Sequence, residues 1–234
     1  MATRNIDSER RSEISKKYEL TNETKPLEGG TVLHRIRALR DIPRFGVKAG
    51  ELGGFVEGEN NLSQDGDAWV SGDAEVFGDA WVYDNACVSD NACVYDNAKV
   101  SGKACVYGDA WVSGNACVYG DACVSRNACV SGDACVSGNA CVYDNACVYD
   151  NAEISGDADY MVIKNTWSSG RWFTYTRSNK KWAVGCFYGT GEELIKKAYA
   201  DSELSGRCYE AIVRAVETIE AAKAEAKGES NGSK

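Results

Sequence analysis

The chain of 234 residues contains two prolines, two methionines and one histidine, His34. A lone histidine leaves little for proton transfer near neutrality. No apolar run is long enough to cross a bilayer, so no membrane association is expected. The start, MATRNIDSERR, lacks an apolar signal core, which makes export unexpected and points to the cytoplasm, where thiols stay reduced. Cations are scarce in the middle: residues 61–160 hold 3 Lys/Arg against 16 Asp/Glu, within an overall net charge of −9. That balance argues against direct nucleic-acid binding through phosphate contacts.

Glycine (24) and cysteine (11) are plentiful, and a period of six explains both. Alanine occupies every sixth position from Ala68 to Ala158, sixteen units without insertion or deletion. Valine follows two residues later from Val70 to Val148, and Ile154 takes the same place. The consensus is Asp/Asn, Ala, variable, Val, Ser/Tyr, Gly/Asp, as in Asp121-Ala122-Cys123-Val124-Ser125. A fixed period means that each unit packs on copies of itself. In the strand-like triplet, alternation puts Val on one side and its two neighbours on the other. The variable column includes Glu75, Lys99 and Glu153, so that column is predicted to face water and Val the interior. Gly/Asp followed by Asp/Asn supplies a corner that tolerates left-handed backbone.

The inward Val and Ala spacing resembles that of hexapeptide-repeat left-handed β-helices. The resemblance implies three strands per 18-residue coil, giving slightly over five coils. The flanks resemble uncharacterised hexapeptide-repeat proteins of bacteriophages and prophages, in Lys48 to Glu57 (KAGELGGFVE), Asn61 to Val70 (NLSQDGDAWV), Thr174 to Arg177 and Gly185 to Thr190. This implies a phage-borne protein in the cytoplasm of an infected or lysogenic bacterium and transfers no catalytic residue.

The predicted organisation is mainly β. Residues 1–17 form a disordered or loose arm and 18–66 an N-terminal β cap, with Leu62 at the alanine phase. Residues 67–160 form the repeat, 161–226 a small α+β cap domain, and 227–234 a polar tail. In the cap domain, Thr190 and Glu193 have capping-box spacing. Cys208, Ile212, Val216 and Ile219 form an apolar stripe predicted to dock on a three-stranded sheet.

An acyltransferase is the enzymatic alternative, because many hexapeptide-repeat proteins have that activity. His34 nevertheless lies upstream of the repeat, and no loop interrupts the sixteen units. No catalytic residue, cofactor or metal is therefore assigned. The cysteines form parallel columns rather than a converging tetrahedral set. The candidate interaction surface is Trp69, Trp81, Trp111, Tyr83, Tyr95, Tyr107, Tyr119, Tyr143 and Tyr149, with Asp84, Asp90, Asp96, Asp144 and Asp150. Outward aromatics at this density mark contact surface. The expected partners are a host defence or nucleic-acid-binding protein and further copies of the chain, as a trimer or dimer. A purely structural phage component is the other alternative.

Overall fold

The computed structural model describes residues 16–231. The chain divides into two units, one ending at Tyr160 and the other beginning at Met161. In the described residues no helix is long and apolar enough to cross a membrane.

The first unit is a β-solenoid of about six turns, built from short parallel rungs on three faces. On the first face, Phe55-Val56 pairs with Glu75-Val76, followed by the rungs at Cys93, Trp111, Cys129 and Cys147. Trp69, Cys87, Cys105, Cys123 and Cys141 lead the rungs of the second face. Trp81, Lys99, Cys117, Cys135 and Glu153 lead those of the third. The expected count of slightly over five coils is short because the winding already begins at Phe55, ahead of the regular repeat.

The interior follows from alternation. Every repeat alanine from Ala68 to Ala152 and every valine from Val70 to Val148, with Ile154, is buried. Each fully buried valine contributes roughly 1.5–3 kcal/mol of transfer free energy, offset by the backbone entropy of ordering its rung. At the corners φ is positive in Gly72, Gly78 and Gly102 and also in Asp84, Asp90, Asp96, Arg126, Asp144 and Asp150. Polar bonds tie successive corners together: Asn91 Nδ2 donates to Asp109 Oδ1 (3.0 Å), and Asn115 Nδ2 donates to Asp133 Oδ1 (2.9 Å).

Strands β1 (Tyr18–Pro26), β2 (Val32–Ala38) and β3 (Leu52–Val56) close the first end. They pair antiparallel with one another, and β3 then pairs in parallel with Glu75-Val76, so the first open edge is covered. Lys17 is not part of a loose arm: it is buried, and its Nζ donates to the carbonyls of Ala68 (2.7 Å) and Asp65 (3.4 Å). Burial, then the nearby Arg40 charge, lowers its pKa from 10.5 to about 8. Residues 1–15 of the expected arm lie outside the described residues.

Leu62 is not at the alanine phase. It bridges Val82, the inward valine of the next turn, so the step from Leu62 to Val70 contains two more residues than a regular hexad. Gln64 in this insertion accepts hydrogen bonds from the backbone N–H groups of Lys17 (2.8 Å) and Tyr18 (3.2 Å), anchoring β1. At the other end the sixteenth unit does not form a rung. Asp157–Asp159 is a 3-10 turn, and Ala158 is exposed. Asp159 Oδ2 accepts from the N–H of Ser155 and of Gly156, both at 2.9 Å, and this turn replaces the next corner.

The second unit has four strands, Tyr160–Lys164, Trp172–Thr176, Lys181–Val184 and Phe187–Gly189, paired in that order, where three were predicted. Helix α1 (Gly191–Asp201) starts at the predicted capping box: Thr190 Oγ1 accepts from Glu193 N (3.3 Å), and Glu193 Oε2 accepts from Thr190 N (2.8 Å). Helix α2 (Glu203–Asn231) runs on through the first residues of the expected tail. Gly206 lies against the Tyr199 ring, where a β-carbon would meet Cδ1 at 2.2 Å, so the two helices approach closely. The helix face packed into the core comprises Tyr209, Ile212, Val213 and Val216 with Phe173 and Trp182. The predicted stripe is therefore displaced: Ile219 is 44% exposed and Cys208 only partly buried.

Candidate interaction surface

The candidate aromatics do not converge. They follow the rungs onto three faces, as one outward residue beside each inward valine must. Trp111, Tyr95 and Tyr149 belong to the first face, Tyr107 and Tyr143 to the second, and Trp81, Tyr83 and Tyr119 to the third. Trp81, Trp111, Tyr107, Tyr119 and Tyr143 are exposed, whereas Tyr83, Tyr95 and Tyr149 are half-buried.

Trp69 is a correction, being only 1% exposed. It begins its face, and β3 lies against it: a β-carbon on Gly53 would sit 2.7 Å from Trp69 Cζ2. Trp69 is thus core of the closing strands rather than contact surface. The alternation rule treats a rung's outer side as solvent, and here another segment occupies it.

Two aromatic groupings form. Trp81 and Tyr83 stack with centroids 4.0 Å apart. On the first face Phe77 stacks on Tyr95 at 5.2 Å, and Tyr95 meets Trp111 edge-on at 6.3 Å. Phe77 was missed as a candidate, although it follows Val76 as the tyrosines follow their valines.

All five candidate aspartates are left-handed corner residues, with φ from 57° to 61°. Asp84, Asp90 and Asp96 each direct Oδ2 to the backbone N–H of the glycine one turn further on, Gly102 (3.2 Å), Gly108 (3.0 Å) and Gly114 (3.1 Å). Asp144 pairs with Arg126. Short polar side chains tolerate this backbone because they can bond locally, so the corner sets these positions first and any recognition comes second.

The variable column is less wet than alternation predicts. Trp81, Lys99, Trp111 and Glu153 are exposed, but the nine ladder cysteines are half-buried. Some of these thiols turn back on the chain: Cys105 Sγ donates to Lys103 O and Cys117 Sγ to Asn115 O, both at 3.7 Å, whereas Cys135 Sγ meets Tyr119 OH at 3.5 Å. Burial pushes the Cys87 thiol from 9.0 up to about 11 and Cys93 up to about 12. Such thiols are poor nucleophiles at neutral pH. Among the described residues no group of three or more His, Cys, Asp or Glu is placed to hold a metal ion. His34 is half-buried in β2, its Nδ1 3.4 Å from Thr21 O.

The second unit presents an open apolar groove of about 400 Å³ between the Tyr160–Lys164 strand and α2, lined by Met161, Ile163, Trp167, Cys208 and Ile219 among others. The displaced apolar stripe of α2 forms one wall. Comparison with protein-family models and with curated proteins gives no match to this chain.

Proposed function

We propose that the protein is a non-enzymatic binding protein of phage or prophage type. In this reading it is a left-handed hexapeptide-repeat solenoid that counters host defence by occupying the nucleic-acid groove of an immune or nucleic-acid-handling protein. The observation that carries the reading is the segregation of charge. Residues 61–160 have a net charge of −13, whereas the sequences on either side are slightly basic. Spread over roughly 25 Å, at about 4.8 Å per turn, this is about one net negative charge per 2 Å, close to the 1.7 Å of duplex DNA.

Pairing offsets part of this charge: from the closing strands Lys25 pairs with Glu75, Arg35 lies 3.7 Å from Asp73 and Arg40 lies 3.7 Å from Asp67. Lys103 lies 3.7 Å from Asp121, and Arg126 pairs with Asp144. The hydrogen bonds from corner glycines fix the directions of Asp84, Asp90 and Asp96, so an incoming partner meets positioned charges rather than mobile ones. The exposed aromatics supply apolar contact, either to that partner or between copies of the chain in a trimer or dimer.

The reading is tested by producing the protein in bacteria that carry a nucleic-acid-targeting defence and measuring the plating of a phage restricted by it. Plating restored by at least about tenfold supports inhibition; unchanged plating across several such defences counts against it.

A further inference from the structure

We propose that the first turn of the solenoid carries a small site for a cationic planar group, such as the guanidinium of an arginine side chain. The site is a groove of about 240 Å³ lined by Ser63, Asp65, Gly66, Trp81, Tyr83 and Asp84. It exists because of the irregular step after Leu62. Ser63 takes the backbone place next to Val82, with its N–H donating to Val82 O at 2.9 Å. Gly66 already packs on the next corner, where a β-carbon would sit 2.2 Å from Asp84 O. Gln64 and Asp65 must fit between these two points. Gln64 is used on β1, and Asp65 is left lining the groove with the stacked Trp81 and Tyr83.

The lining combines the two features that recognise an organic cation. An exposed indole offers a negative π-face, and two carboxylates, Asp65 and Asp84, offer acceptor oxygens. Among the described residues neither carboxylate forms an ion pair, and no cation lies over Trp81 or Tyr83. Lys99, exposed on the rung next to Trp81, lies over neither ring, and the basic groups of the closing segment are held on backbone carbonyls rather than on these two carboxylates. Arg40 donates to Gly66 O (2.8 Å) and lies 3.7 Å from Asp67, while Lys17 Nζ is buried on the carbonyls of Ala68 and Asp65. A guanidinium fits better than an ammonium because it can stack on the indole while its edge donates to both carboxylates. This inference does not depend on the inhibitor reading, since a free arginine derivative can occupy the site whether or not a host partner exists.

The test follows the indole N–H resonance of Trp81, assigned with Trp81→Phe, while the intact protein is titrated with N-acetylarginine N-methylamide. The neutral citrulline analogue and methyl β-glucoside serve as comparisons. Saturation by the arginine probe in the millimolar range, at least about fivefold weaker binding of citrulline, and a similar loss in Asp65→Asn and in Asp84→Asn support the site. Asp84→Asn keeps an acceptor for Gly102 N–H, so the corner survives. Equal response to arginine and citrulline, saturation by the glucoside alone, or no response to any probe would overturn it.

Discussion

Gly53 faces Trp69 across the closed end of the solenoid, where a β-carbon would sit 2.7 Å from Trp69 Cζ2 and leave no room for a methyl group. A β-carbon on Gly53 would also come within 2.5 Å of Val70 O, a backbone atom that cannot turn aside. Gly53→Ala should therefore lower the stability of the first unit by about 2 kcal/mol, read as a lower urea midpoint at unchanged slope. Gly58→Ala, whose β-carbon meets nothing within 4 Å, should be close to neutral. Equal effects would contradict the packing described for β3.

The corner aspartates separate backbone strain from hydrogen bonding. Asp90 has φ 61° and accepts from Gly108 N–H. Asp90→Asn keeps both the tolerance and the acceptor and should change stability by less than about 0.5 kcal/mol. Asp90→Ala loses both and should cost about 1–2 kcal/mol. Asp90→Gly removes the strain together with the bond and should fall between the two in thermal unfolding.

Alkaline pH should unfold the solenoid before it harms an ordinary domain. The thiols of Cys87 and Cys93 keep their protons in the folded state up to about 11 and 12, whereas in the unfolded chain they ionise near 9.0. Their contribution is complete below pH 9 and is lost as the pH climbs through the folded values, up to about 3 kcal/mol for Cys87. Lys17 acts in the opposite sense: its folded value near 8 lies below 10.5, so its charged form costs stability at neutral pH and that cost fades from pH 8 upward. Cys87→Ser/Cys93→Ser should flatten the decline between pH 9 and 12 in denaturant titrations. An unchanged slope would show that these thiols titrate normally.

Thiol labelling gives an independent measure of the ladder. Cys186 is exposed, while Cys87 and Cys93 are half-buried in the ladder. At pH 8 iodoacetamide should modify Cys186 first, with Cys87 and Cys93 slower by at least tenfold, mapped by peptide mass spectrometry (about 1.4 kcal/mol of protection per factor of ten). Uniform labelling would contradict the packing of the columns.

The regular part of the fold was legible in the sequence because one local pattern repeats. Alternation places Val124 inside wherever a turn lies above and below it, and corners of the Asp90 type follow from tolerance of left-handed backbone. The irregular parts were not legible because they depend on segments distant in sequence. Trp69 has the same local context as Trp81, yet β3 covers one and not the other. Lys17 reads as a solvated charge until the carbonyls of Asp65 and Ala68 surround it. Ala158 keeps the period, but Asp159 turns the backbone into a 3-10 turn. The same limit applied to the surface. Faces could be assigned from the period, whereas the Asp65 groove arises from the two residues that break it.

The proposed function requires that a rod of fixed carboxylates stand in for nucleic acid. It is tested most directly by capturing host proteins on the immobilised chain and challenging the captured partner with duplex DNA. The parallel capture uses Asp84→Asn/Asp90→Asn/Asp96→Asn/Asp144→Asn/Asp150→Asn, in which each corner keeps a polar acceptor. A nucleic-acid mimic should capture a stoichiometric nucleic-acid-binding partner that duplex DNA displaces and that the five-fold variant retains at least about tenfold less well. A partner indifferent both to DNA and to the five substitutions, or no partner at all, would contradict it.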